Sequence, residues 1–141
     1  MYETTGKLFD KLRDSGSGMA LLKEERISLT FPQTLRDLLE QAGISAPEWM
    51  AASNISKSYG YQILRGERTP GRDILLRTAL ALRLSLKETQ RLLAVGGCGA
   101  LYPRIRRDAA LIFALNQHMT LLETEDLLAS LPERSLYTRE S

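Results

Sequence analysis

Cysteine and histidine each occur once in the 141 residues, as Cys98 and His118. A single cysteine excludes an internal disulfide framework, and one Cys with one His cannot by themselves build a structural zinc site. No apolar run approaches the ~18 residues that a membrane span requires. Glu3, Asp10 and Asp14 interrupt the N-terminal stretch where a secretory signal would be apolar. These absences predict a cytoplasmic protein with no membrane partner. The parts of an enzyme are missing too: there is no His-bearing acid–base pair, no glycine-rich loop matching a nucleotide fingerprint and no nucleophile elbow. Glu123, Glu125 and Asp126 cluster, but with the spacing of a helix N-terminus, which favours negative charge. No catalytic residue, metal or cofactor is expected.

What remains is an ordinary globular composition, 43% hydrophobic and 26% charged, enough for one core or two small ones. The formal net charge is +2, unevenly spread. Residues 1–43 hold six Lys and Arg against seven Asp and Glu, residues 44–95 eight against four, and residues 96–141 five against six. The middle third is therefore +4 while each flank is −1. A basic segment between weakly acidic ones suggests a face that meets a polyanion.

The chain reads as helices throughout, so the expected fold class is all-α. Thr34–Ala42 places Leu35, Leu38, Leu39 and Ala42 at helical spacing, with Gly43 where a C-terminal cap belongs. A second, short helix starts near Ser45 and Pro47 and stops at Asn54, a residue that accepts a left-handed turn. Ser56 caps a third helix from Lys57 to about Leu64, ended by Gly66 and Pro70. Asp73–Arg83 makes a fourth. Ser85-Leu86-Lys87-Glu88 has the form of a capping box and opens a fifth, ending at Gly96-Gly97.

Sliding the chain against itself by 35 positions brings Arg72-Asp73 onto Arg107-Asp108 and Leu92-Leu93-Ala94 onto Leu127-Leu128-Ala129. Eleven of 23 positions are then identical, and the capping box recurs as Thr120-Leu121-Leu122-Glu123. The matched positions are the apolar stripe and the caps that a helical hairpin needs. Residues 104–131 are thus expected to repeat the hairpin of helices four and five. Two copies are too few for a solenoid, so the second packs on the first or on its counterpart in a dimer.

Two short helices joined by a tight turn, the second with polar residues outermost, describe a helix-turn-helix. From Ile44 to Thr89 the chain resembles, without a gap, the Cro and phage-repressor type of helix-turn-helix domain, the XRE family. The resemblance is carried by Ile55-Ser56 at the turn, Ile63, Arg65-Gly66-Glu67-Arg68-Thr69-Pro70 and Leu82-Arg83-Leu84-Ser85-Leu86. It departs from the family at Ala46, where a phosphate-holding Gln is usual, and at Met50 and Asn54. Gly60 is a further departure, in a position that is commonly apolar. A glycine inside a helix costs ~1 kcal/mol relative to alanine, so it is expected to make room for Met50 or Trp49.

The resemblance implies a sequence-specific regulator of transcription on double-stranded DNA, most simply a repressor. Its base-reading positions fall on Lys57, Ser58, Tyr61 and Gln62; Gln62 suits an adenine and Lys57 a guanine. Phosphates are held by cations and helix N-termini, which nominates Ser56, Arg65, Arg68 and Thr69, with Arg72 and Arg77 as further candidates. Tyr59 and Tyr61 have a competing role as core aromatics. One such unit binds weakly, so a homodimer on two half-sites is expected. The alternative function is a helical adaptor or antitoxin-like protein acting through a protein partner.

The expected organisation is an N-terminal extension over 1–33, a five-helix DNA-binding domain over 34–97, and a C-terminal hairpin over 98–141 that packs or dimerises. Lys7–Arg13 has the spacing of a short amphipathic helix, and the SGSG at 15–18 that of a flexible joint. Glu3-Thr4-Thr5 resembles the threonine pair that bacterial Ser/Thr kinases modify and forkhead-associated domains read. Thr4 and Thr5 are thus candidate phosphorylation sites through which residues 1–33 would engage a regulatory protein.

Overall fold

The computed structural model describes residues 27–137. Within them the chain forms seven helices and no strand. They are α1 (Ile27–Ala42), α2 (Ala46–Ala52), α3 (Lys57–Leu64), α4 (Arg72–Ala81), α5 (Leu86–Val95), α6 (Arg106–Asn116) and α7 (Leu121–Ser130). The all-helical expectation holds. No helix among the described residues is long and apolar enough to cross a membrane. Thr4, Thr5, the segment Lys7–Arg13 and the SGSG joint lie outside them.

Local chemistry sets most helix ends. Three capping boxes close N-termini by exchanging a hydroxyl and a carboxylate for two backbone amides: Ser45 with Glu48, Ser85 with Glu88, and Thr120 with Glu123. At their C-termini α2, α4 and α6 turn on non-glycine residues in left-handed conformation, Asn54, Arg83 and His118. In each case the next amide reaches back inside the helix, as Ile55 N–H does to the Met50 carbonyl at 2.8 Å. Arg83 and His118 are 35 positions apart, so the repeat includes its own helix stop. Helix α1 starts earlier than the Thr34 that apolar spacing suggests and tolerates Pro32 inside it, and α4 ends two residues before Arg83 because of that left-handed turn.

One apolar cluster runs through the whole assembly. It joins Leu35 and Leu38 of α1, Trp49 and Met50 of α2, Ile63 of α3, Leu75 and Leu76 of α4 and Leu92 and Leu93 of α5 to Leu111 and Leu115 of α6, Leu128 of α7 and Leu136. Each buried aliphatic side chain contributes about 1.5–3 kcal/mol, so the C-terminal hairpin is part of the core. Trp49 is 1% exposed and its indole Nε1–H donates to Thr78 Oγ1 at 3.0 Å; that hydroxyl donates to the Ile74 carbonyl. This chain fixes α2 to α4 with no polar atom stranded along it.

The second hairpin packs on the first within the chain, α4 against α7 and α5 against α6. Two ion pairs join them. Arg72 donates through both terminal nitrogens to the Asp108 carboxylate, at 3.1 and 2.9 Å, and Arg107 does the same to Asp73, at 3.0 and 3.2 Å. Each arginine also holds the segment that follows its own hairpin. Arg72 donates to the Gly99 and Ala100 carbonyls, and Arg107 to those of Arg134 and Ser135, again 35 positions on. The duplication continues past the helices: Gln90 holds the Leu101 backbone and Glu125 the Leu136 N–H. Leu101-Tyr102 and Leu136-Tyr137 are identical pairs in the same register. Glu125 is therefore a tether for the return segment and no helix cap; the capping role belongs to Glu123.

Candidate nucleic-acid interface

Helix α3 is seated from three sides. Ser56 caps it, its Oγ accepting from Tyr59 N–H at 3.2 Å. Gly60, Ile63 and Leu64 face the core, and Tyr59 is half-buried against it, which settles that tyrosine as a packing residue. At the far end Arg36 of α1 donates to the Leu64 carbonyl at 2.6 Å, placing a cation where the helix ends negatively. Spacing within α1 carries no sign of this role for Arg36, because its partner lies 28 positions away.

Gly60 is explained by its neighbour on α2. A Cβ there would lie 2.2 Å from Met50 Sδ and 2.5 Å from Met50 Cγ. Met50 is 1% exposed and enclosed, so it has nowhere to retreat. The room is made for Met50, one of the two large residues expected to need it.

The opposite face of α3 is outward. Lys57, Ser58 and Tyr61 are exposed, Tyr61 by 39%, and Gln62 is half-buried beside them. Their spacing puts them on one side of the helix. The loop that follows turns at Gly66, with φ +77°, and folds back so that the Glu67 and Arg68 N–H groups donate to the Gln62 carbonyl at 2.9 and 3.3 Å. Arg65, Arg68 and Thr69 project from this loop, exposed, while Pro70 is buried and ends it. Of the eight nominated side chains from Ser56 to Thr69, seven are thus exposed and Gln62 is half-buried.

Glu67 is the only acid in that stretch. Its carboxylate accepts from Arg65 Nε, and from Arg65 Nη2 at 3.3 Å. This hydrogen bond holds the Glu67 carboxyl below the usual range and the Arg65 guanidinium above its own. Arg68 has no such neighbour among the described residues.

Arg72 and Arg77 do not belong to this surface as phosphate ligands. Arg72 is committed to Asp108 and to two carbonyls. Arg77 donates to the Ser53 carbonyl at 2.9 Å and the Leu136 carbonyl at 2.8 Å, and stacks 4.8 Å over the Tyr137 ring. Both are half-buried; Arg72 commits all three guanidinium nitrogens to the chain itself, and Arg77 its Nε and Nη1. Arg77 thereby ties the turn between α2 and α3 to the end of the second hairpin. Arg104 and Arg106 face solvent, Arg106 at 3.8 Å from Glu133.

No family model, no curated protein and no solved structure matches the chain. The chemistry of the site therefore rests on its own residues. Lys, Ser, Tyr and Gln on one rigid helix face supply hydrogen-bond donors, acceptors and one aromatic edge, with cations just beyond the helix end. Among the described residues there is no cluster of His, Cys, Asp and Glu that would hold a metal ion.

Proposed function

We propose that the chain is a sequence-specific double-stranded DNA-binding regulator of transcription, most simply a repressor. Helices α1 to α5, residues 27–97 in place of the 34–97 that apolar spacing suggests, form its five-helix helix-turn-helix domain of the Cro and phage-repressor type, with α3 as the recognition helix. The observation that carries this reading is the outward face of α3, Lys57, Ser58, Tyr61 and Gln62, presented by a helix whose inner face, cap and C-terminus are all fixed. In the major groove such a face reads base edges, while Arg65, Arg68, Thr69 and Ser56 hold phosphates on either side. The Ser56 hydroxyl keeps a proton to donate while its oxygen caps the helix. Each chain carries one such helix, so two chains on half-sites about one helical turn apart are required for tight binding.

Two substitutions separate the roles. Gln62→Ala is expected to lower discrimination at one base position by about 1–3 kcal/mol while leaving binding to random duplex almost unchanged. Arg68→Ala is expected to weaken all sequences alike and to reduce the slope of log affinity against log salt by about 1. Equilibrium titrations of both variants against matched and mismatched duplexes at several salt concentrations test this. Equal losses of discrimination in both would contradict the division.

Glu67→Gln gives a third expectation. Removing the acid releases Arg65 for phosphate and lifts a repulsion, so affinity for every duplex rises, by up to about tenfold at low salt. Unchanged affinity would show that Arg65 makes no phosphate contact.

Phe113, 52% exposed, and Leu122, 73% exposed, favour a second reading, a helical adaptor or antitoxin-like protein docking through its C-terminal hairpin. Salt sensitivity of duplex binding distinguishes the two, being steep only for the first.

A further inference from the structure

The two hairpins meet as if related by a two-fold axis. Arg72 reaches Asp108 while its counterpart Arg107 reaches Asp73, and α4 lies on α7 while α6 lies on α5. In a simple stack of repeats each unit would present the same side to the next, and contacts would run in one direction. Reciprocal contact, residue i with j and j with i, is the signature of an isologous interface, which identical subunits form across a dimer axis. Here both halves belong to one chain. The Arg-Asp pair that makes the contact at the head of each hairpin is duplicated, and so are Ala79-Leu80 and Ala114-Leu115, Leu92-Leu93 and Leu127-Leu128, which belong to the shared core or pack against it. A surface of the first hairpin that fits the second therefore also fits another first hairpin, with Arg72 of one chain on Asp73 of the other.

We infer that the C-terminal hairpin occupies in cis a docking surface that α4 and α5 would otherwise offer to the same hairpin of a second copy of this chain. The cis arrangement holds because the connection through residues 96–105 presents the second hairpin at an effective concentration on the order of millimolar. That face is closed to a second chain while the hairpin is seated. Releasing it opens the face, and the chain associates through it. Nothing in this depends on DNA binding, and DNA is absent from the test.

Asp108→Arg sets a cation against Arg72 and weakens the cis contact but leaves Arg72 and Asp73 intact for pairing between chains. By sedimentation equilibrium this variant is expected to associate at least about tenfold more tightly than wild type. Adding Arg72→Asp restores an opposite-charge pair in cis and removes the one in trans, so the double variant returns to the wild-type association state. A D108R chain with wild-type helical circular dichroism and wild-type association overturns the inference. So does one that unfolds without associating, or a double variant as associated as D108R. The wild-type chain supplies a second measurement: refolding from urea in concentrated solution is expected to trap an associated form that dilute refolding does not give. Identical products at both concentrations would also overturn it.

Discussion

Arg107→Ala is expected to destabilise the fold by about 3–5 kcal/mol, the range for breaking a buried pair from one side. The Asp73 side chain is 5% exposed, and its remaining cation is Arg134, 3.4 Å away and 54% exposed. An aspartate left in that position keeps a poorly solvated charge with half of its pairing gone, which is costly. The substitution also strands the Arg134 and Ser135 carbonyls that Arg107 holds. Lysine is a poor replacement, since one ammonium cannot reproduce a bidentate contact with a carboxylate and still reach two carbonyls. At the expected loss, thermal unfolding falls by about 10 °C or more. Arg106→Ala is the control. Its guanidinium is exposed and 3.8 Å from Glu133, and it should change stability by less than about 0.5 kcal/mol. Similar losses for the two variants would mean that the junction between the hairpins carries little of the stability.

The second large effect is conditional on a neighbour. Gly60→Ala alone is expected to cost up to about 2 kcal/mol, because overpacking costs about 1–3 kcal/mol and the gain in helix propensity returns ~1 kcal/mol. In a Met50→Ala background, itself costing about 2–5 kcal/mol, the same change should stabilise by up to about 1 kcal/mol. The interaction energy of the cycle is then about 2 kcal/mol, inside the range for side chains in direct contact. Urea unfolding of the four proteins measures it. Additivity within error would refute the claim that Met50 is what Gly60 accommodates. Functionally, any shift of α3 that relieves the contact moves Tyr61 and Gln62, so duplex affinity should fall even where folding persists.

Gly60 and Arg107 also mark where the sequence is legible and where it is not. Gly60 is legible because the conflict is local: a glycine inside one helix, with an oversized Met50 on the helix before it, implies a close approach of the two. The caps are legible for the same reason, since Ser85 with Glu88 and Thr120 with Glu123 are three residues apart. Ser45 with Glu48 has the same spacing, but Pro47 beside it marks the helix start more strongly and hides the box. Arginine is the residue whose partner local pattern does not reveal. Arg72, Arg77 and Arg107 have partners 24 to 59 positions away, and a long side chain on a polar helix face carries no mark of whether it meets water, phosphate or a carbonyl of its own chain. The 35-residue repeat does foretell a second hairpin, and Leu101-Tyr102 against Leu136-Tyr137 extends it. Spacing alone, however, cannot distinguish a stacked copy from one turned to face the first.

The central claim, that the outer face of α3 reads bases, is tested most directly by selecting ligands for the full chain from a random pool of DNA duplexes. The expected result is enrichment of a roughly palindromic motif, with binding to it weakened steeply by salt and its base preference lost at one position on Gln62→Ala. No enrichment, or an enriched motif whose preference is indifferent to Lys57, Ser58, Tyr61 and Gln62, would contradict it.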